Sequence, residues 1–336
     1  MARLKTGSAV RTIRGTAPIP PLEDTRPVVA PAALKRRLGD TAQSLFPLVF
    51  DAAALGRRGA GGRASDGPDL LERFAARGGD AVVVTDGTGS AEGEERVGGW
   101  LAGDRDRFLL LGRVGASAEA VATPRALVAR VEESLRRLRT DRLDVLAVRP
   151  DGAGRLDEVL SAVEVLLARG LVRTAVASGF AAEELFEARV LAGHGHPRFA
   201  AVELPYSLLD AADAEGDLGL VAAGQGLSLL STVPLAHGFL HGVERGRRQL
   251  SRLPDGALAA AHLGRRGRRV LTALDAIGAE LTAAPAAVAL AWLLARPGVA
   301  AAVVAPRSPS DVDALVRAVS LELDEGHLAA LERARR

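Results

Sequence analysis

The chain reads as one (β/α)8 barrel behind an N-terminal extension, and three observations predict it. Apolar runs of strand length recur eight times, each followed by a stretch with helical spacing. The runs are continuously apolar rather than alternating, as expected of parallel strands covered on both faces. The length, 336 residues, is long for an ordinary domain but normal for a single barrel. An open doubly wound sheet is the competing architecture. Eight repeats argue against it, and no G-x-G-x-x-G follows the first strand.

The extension covers residues 1–35, where Pro18, Pro20, Pro21, Pro27 and Pro31 break any helix. It is read as a solvated arm, with a protein partner as the alternative. The barrel covers residues 36–336. Strands are expected at Leu45–Leu55, Ala81–Thr85, Phe108–Val114, Leu143–Val148, Val172–Ser178, Phe199–Leu204, Leu227–Thr232 and Val299–Val304. Helices are expected at Leu70–Ala76, Glu94–Ala102, Pro124–Leu138, Asp157–Ala168, Ala181–Ala192, Ala214–Ala223, Arg268–Leu281, Pro285–Leu294, Asp311–Val319 and Gly326–Arg335. Two loops stand out: the Gly/Arg segment Gly56–Gly67, which lacks the Gly-Lys-Ser/Thr of a P-loop, and the long one carrying Pro234, Gly238 and Gly242.

Composition excludes several classes. The chain has no cysteine, which removes disulfides, thiolate nucleophiles and Cys-ligated metals. The net charge is only +2 and aromatics are 3%, so neither a basic face nor stacking platforms point to nucleic acid. No run approaches the ~18 apolar residues of a membrane span, and no signal peptide is apparent at the N-terminus. A cytoplasmic protein acting on a small molecule is expected.

Six ordered motifs carry a family resemblance. The stretch Ser134–Asp151, SLRRLRTDRLDVLAVRPD, resembles S-L-x-R-L-x-T-D-x-(I/L)-D-L-x-x-x-H-x-x-D of the aldo/keto reductases. Arg105–Val114 resembles R-D-x-x-x-(I/L)-x-T-K-V, and Gly170–Phe180 resembles G-K-(V/I)-R-x-(I/L)-G-V-S-N-F. Glu203–Asp210 resembles Q-x-x-Y-N-L-L-(D/E), and Ser231–Gly242 resembles A-Y-S-P-L-A-x-G-x-L-T-G. Ala289–Ser308 resembles A-L-A-W-L-L-x-x-P-x-V-x-x-(I/V)-x-G-A-R-S. The resemblance implies a TIM barrel of the aldo/keto reductase type and carbonyl reduction with NADP(H). In that chemistry, hydride leaves the nicotinamide while a Tyr, acidified by a Lys–Asp pair and helped by a His, protonates the carbonyl oxygen.

Carried over residue by residue, the catalytic set is not the family's. The His position holds Arg149 and the Lys position Arg113. The loop Asp86–Gly93, where the Tyr should stand, contains none; Asp86 is the nearest counterpart of the Asp. The lone tyrosine, Tyr206, belongs to a different motif. On the cofactor side, Ser178 keeps its place, Gly179 replaces an Asn, and Glu203 replaces the Gln that holds the carboxamide. Thr232 stands where an aromatic stacks on the nicotinamide, and Val233 replaces the Ser of S-P-L. Pro234, Leu235, Arg307 and Ser308 remain, while the Glu-Asn beyond them reads Ala314-Leu315.

An arginine stays protonated near neutral pH and cannot act as general acid. Loss of a positioned proton donor removes roughly 10²–10⁴ in rate. The weakly acidic hydroxyls of Thr88 and Ser90 are poor substitutes. The expectation is therefore a barrel with a degenerate site, holding a small, anionic ligand or NADP(H) in a regulatory or non-redox role, with Glu203 or Asp86 as conceivable bases. The alternative is an NADP(H)-dependent reductase with an altered proton donor. Arg113 and Arg149 have two readings: an anion-binding mouth, or an internal plug paired with Asp86, Glu203 or Asp151. His237 and His241 lie four apart in a loop, without H-E-x-x-H, and no metal is expected.

Overall fold

The computed structural model of the protein describes residues 34–56, 67–85, 90–114, 123–149 and 155–336. Eight parallel strands close into a barrel in chain order: β1 Leu48–Asp51, β2 Ala81–Thr85, β3 Leu109–Val114, β4 Leu143–Val148, β5 Val172–Ser178, β6 Ala201–Leu204, β7 Ser228–Ser231 and β8 Val299–Val304, with β8 pairing to both β7 and β1. The predicted (β/α)8 architecture is therefore observed. Helices wrap the outside: α1 Gly67–Ala76, α2 Ser90–Leu101, α3 Pro124–Leu138, α4 Leu156–Ala168, α5 Ala182–Ala192, α6 Ala212–Glu215, α7 Asp217–Gly224, α8 Arg247–Leu250, α9 Gly256–Ala261, α10 Arg265–Glu280, α11 Pro285–Leu294, α12 Pro309–Arg317 and α13 Glu325–Arg335.

The barrel interior and the strand–helix layer form two separate apolar clusters, as strand alternation requires. Val49, Val83, Leu111, Val145, Val176, Leu230 and Val303 point inward. Their neighbours Leu48, Phe50, Val82, Leu110, Leu146 and Val202 pack against the helices. Helix α3 shows how the outer layer is built. Leu127, Val131, Leu135 and Leu138 fall on one buried stripe, Pro124 sits at the first turn, and the Thr123 hydroxyl caps the helix by accepting from the Ala126 N–H. Arg139 ends it in the left-handed conformation, a position where a β-branched residue would be strained.

Three expectations need correction. The first strand is shorter than Leu45–Leu55, because Ala52–Gly56 turns into a 3-10 helix. The single helix expected at Ala214–Ala223 is two, broken where Gly216 is extended and a Cβ would lie 2.6 Å from the Ala212 carbonyl oxygen. The long loop after β7 contains a 3-10 segment, Ala236–His241, and the short helices α8 and α9. One element had no counterpart in the sequence reading: a hairpin, Arg36–Arg37 with Ser44–Leu45, that covers the amino ends of the strands. Leu38 and Leu45 seal the interior cluster, Arg36 donates to the carbonyls of Leu294 and Val299, and Lys35 pairs with Asp80 at 2.7 Å. Residues 1–33 and the Gly/Arg segment 57–66 lie outside the described residues.

Candidate functional site

Barrel closure gathers the carboxyl ends of the strands into one ring. The registers place Thr85 beside Arg113, Arg113 beside Ala147, Val148 beside Ala177, and Ser178 beside Glu203. The site residues named from sequence on β3, β4, β5 and β6 therefore share one mouth, where parallel barrels carry their chemistry.

The centre of this ring is an ion pair. Arg113 on β3 reaches Glu203 on β6 through Nε at 3.0 and 3.1 Å and Nη2 at 3.1 Å. The Glu203 side chain is fully buried and that of Arg113 is 17% exposed. Burial pulls the Arg113 pKa down, but the charge and hydrogen bonds of Glu203, with the Asp51 charge behind them, more than reverse this and raise it above the ordinary arginine range. For Arg113, then, the plug reading describes the geometry. A carboxylate gripped at both oxygens is poorly placed to act as a base, which counts against that role for Glu203.

Arg149 differs. It follows the last residue of β4, is exposed, and pairs with no carboxylate among the described residues. Its guanidinium lies on the backbone of Gly179, where a Cβ would sit 2.8 Å from Arg149 Nε. Gly179 also has φ +68°. The two departures from the family motifs are thus coupled: the longer side chain at 149 occupies space that any side chain at 179 would need. Asp86, Thr88 and Asp151 lie outside the described residues, as do 115–122 of the neighbouring loop.

On the far side of the mouth is a cleft of about 140 Å³ between the ends of β7, β8 and β1. Thr232, Val233, Pro234, Leu235 and Arg307 line it, as the motif positions imply, together with Asp51, His237, His241 and Asp255. Arg307 is already paired, to Glu244 at 3.0 Å and to Asp311 at 3.5 Å. Ser308 caps α12: its hydroxyl accepts from the Asp311 N–H at 3.1 Å. An Ser308→Ala variant is accordingly expected to lose about 1 kcal/mol of stability, measured as a lower urea midpoint at unchanged slope. An unaltered midpoint would show that this cap does not stabilise the fold.

No proton donor of the required kind stands in this ring among the described residues. Tyr206 is buried against Trp292, edge to face, with its hydroxyl donating to Glu215 at 3.1 Å. Burial first, and then Glu215, push its pKa far above the phenol range, so it is a packing residue. His237 and His241 do not join a third His, Asp or Glu in a metal-binding group among the described residues. Asp51, Glu244 and Asp255 were missed in the sequence. Asp51 was hidden by the expected bounds, which put it inside a strand Leu45–Leu55, whereas the strand ends on it. Glu244 and Asp255 sit in irregular segments with no periodicity to mark them.

A closed parallel barrel with its charged residues collected at the carboxyl ends defines the architecture of the barrel enzymes. The chain belongs to the aldo/keto reductase family, whose model matches residues 70–336. It is also similar to a protein of Bacillus subtilis (strain 168) described as uncharacterized oxidoreductase YrpG, at 30% identity over 205 residues, which is 60% of this chain and 61% of that relative. The alignment thus spans less than two thirds of that relative's length.

The family typically binds NADP(H), and the residues here fit that group poorly. By the motif resemblance, the position expected to hold the carboxamide is Glu203, a carboxylate committed to Arg113, the position expected to stack is Thr232, and the arginine expected at the phosphate end is paired within the chain. Ser178, Pro234 and Leu235 are the positions that remain suitable.

Proposed function

We propose that this family member does not reduce carbonyls by the family's proton relay and instead holds a small carboxylate or similar anion at the barrel mouth, in a binding or non-redox role. The observation that carries the reading is the division of labour between the two arginines. Arg113 is consumed by Glu203, whereas Arg149 lies at the rim on the Gly179 backbone and pairs with no carboxylate among the described residues. A planar guanidinium on a glycine shelf suits two-point recognition of a carboxylate. Ser178, level with it on β5, supplies a neighbouring hydroxyl.

The test is calorimetric titration with malonate, citrate and inorganic phosphate. Loss of a charged hydrogen bond of about 1.5–3 kcal/mol predicts that Arg149→Ala weakens binding roughly 10- to 100-fold. Gly179→Ala should weaken it as well, by displacing Arg149 without removing its charge. Equal affinity in parent and Arg149→Ala would remove the anion reading. The competing reading, an NADP(H)-dependent reductase with another proton donor, draws on Ser178, Pro234, Leu235, Arg307 and Ser308 standing where the motifs place them. Turnover of a generic aldehyde with NADPH at a rate typical of enzymes would establish it instead.

A further inference from the structure

The outer half of the mouth carries a conclusion about charge. By the motif positions, the phosphates of a dinucleotide would run along Pro234 and Leu235 toward Arg307. A phosphate channel needs a surplus of cations or free N–H donors. This one has the opposite. Among the described residues, Arg307 is the only permanent cation lining the cleft, and Asp51 and Asp255 line it too. Glu244 and Asp311 stand on Arg307 itself, and Asp311 accepts from the Arg307 backbone N–H at 2.9 Å.

The two histidines do not redress the balance. His241 is buried at 9% side-chain exposure with Nδ1 3.6 Å from an Asp311 oxygen. Burial lowers its pKa most, Asp311 and Glu244 only partly oppose this, and Arg307 lowers it further, so its charged form is disfavoured. His237 faces Asp255 at 3.7 Å. Among the described residues, Glu244 and Asp311 therefore pair with the one guanidinium, and Asp51 and Asp255 add carboxylates to the cleft where a molecule with several phosphate charges would have to lie. Arg307 is 38% exposed and its carboxylate partners less so, and a phosphate could displace one of them. What it could not displace is the summed charge, which acts over the ~10 Å screening distance of ordinary buffers.

We infer that the barrel has lost its dinucleotide site through charge rather than blockage: the carboxylates around Arg307 reject NADP(H) and other polyphosphate ligands. The inference concerns the outer cleft alone and stands whether or not Arg149 holds a small anion. It also limits what such an anion is, because a ligand with several negative charges would meet the acidic side of the mouth.

The experiment is NADPH titration followed by nucleotide fluorescence and by calorimetry, in the full chain at low and moderate salt. The parent chain should show no saturation at millimolar cofactor, and any residual binding should strengthen or hold steady as salt is added. The double variant Glu244→Gln/Asp255→Asn should gain at least tenfold in affinity, with binding that now weakens in salt as Arg307, relieved of Glu244, meets phosphate. The single variant Asp255→Asn, at a largely exposed position, should gain a smaller factor and guards against a folding defect at 244. Saturable binding by the parent in the micromolar range would overturn the inference. So would a folded double variant that gains nothing, since contacts other than charge would then be at fault. Titration of malonate against Arg149→Ala is independent of all these outcomes, so either conclusion can fail alone.

Discussion

An Arg113→Met variant is expected to unfold about 3–5 kcal/mol more easily than the parent chain, the typical cost of removing one partner from a buried ion pair. The reason lies in what remains. Glu203 is fully buried, and without Arg113 it loses three charge-assisted hydrogen bonds. An ionised carboxylate in that place must either stay uncompensated or take up a proton. The double variant Arg113→Met/Glu203→Leu removes both charges and should recover most of the loss, because apolar replacements of a buried pair are neutral or stabilising by about 1–4 kcal/mol. Chemical denaturation of the parent, both single variants and the double variant gives the coupling energy directly. Near-additive single-variant losses would mean that the pair contributes no coupling, and the plug reading would fall.

The pH behaviour follows from the sign of the shift. The folded pKa of Arg113 is raised. Its contribution is therefore complete below the unfolded arginine pKa and lost only as pH rises through the higher folded value, beyond the range of ordinary stability measurements. Arg113 itself should therefore add no pH dependence to the parent chain's stability between pH 6 and pH 9. This also separates the pair from a working acid or base, which would titrate within that window. The family's reaction requires a group that gives up a proton near neutrality. Arg113 holds its proton and Glu203 is occupied holding Arg113.

The fold was legible because its signals are local. Each strand is a run such as AVVVT or LDVLAV, and a residue's apolarity does not depend on knowing its neighbour in space. Leu143–Val148 and Pro124–Leu138 match the predicted bounds. The hairpin at Arg36–Leu45 was not legible, since two-residue strands carry no periodicity, and its anchors are carbonyls of β8 and α11 more than 250 residues away. The site divides the same way. Which positions differ from the family motifs could be read off directly. Which arginine is neutralised could not, because Arg113 and Glu203 are 90 residues apart and meet only when the barrel closes. Both arginines looked alike in sequence. The distinction comes from the Glu203 side chain pointing into the ring and Gly179 leaving room for Arg149 to lie outward.

The motif that signals the family most clearly does its work at the other end of the barrel, and Asp144 shows it. This residue, second in β4, is 2% exposed. Its Oδ2 accepts from the Leu110 N–H at 2.9 Å and from Arg105 Nη2 at 2.8 Å. Its Oδ1 lies 3.4 Å from Arg173 and 3.7 Å from Arg142. Arg105 in turn donates to Thr140 and to the carbonyls of Phe108 and Arg142. The R-D, T-D and L-D elements of two motifs thus form one network that ties β3, β4 and β5 at their amino ends. Asp144→Ala should cost about 3–5 kcal/mol, because it takes the buried carboxylate away from Arg105, Arg142 and Arg173 at once and leaves the buried Leu110 N–H without a partner. Asp144→Asn preserves the shape and one acceptor, and should cost about 1–3 kcal/mol. Denaturant midpoints at constant slope would measure both. Anion affinity at the mouth should be unchanged in Asp144→Asn, since that residue sits at the amino end of its strand and Arg149 just beyond the carboxyl end. A loss below about 0.5 kcal/mol for Asp144→Ala, the range of ordinary surface substitutions, would show that the network is dispensable. The motif's persistence in this chain would then need a cause other than stability. If the loss is large, the persistence is explained: the barrel folds with Arg149 at the rim where the motif has a His, but it cannot give up the carboxylate that joins its strands at the base.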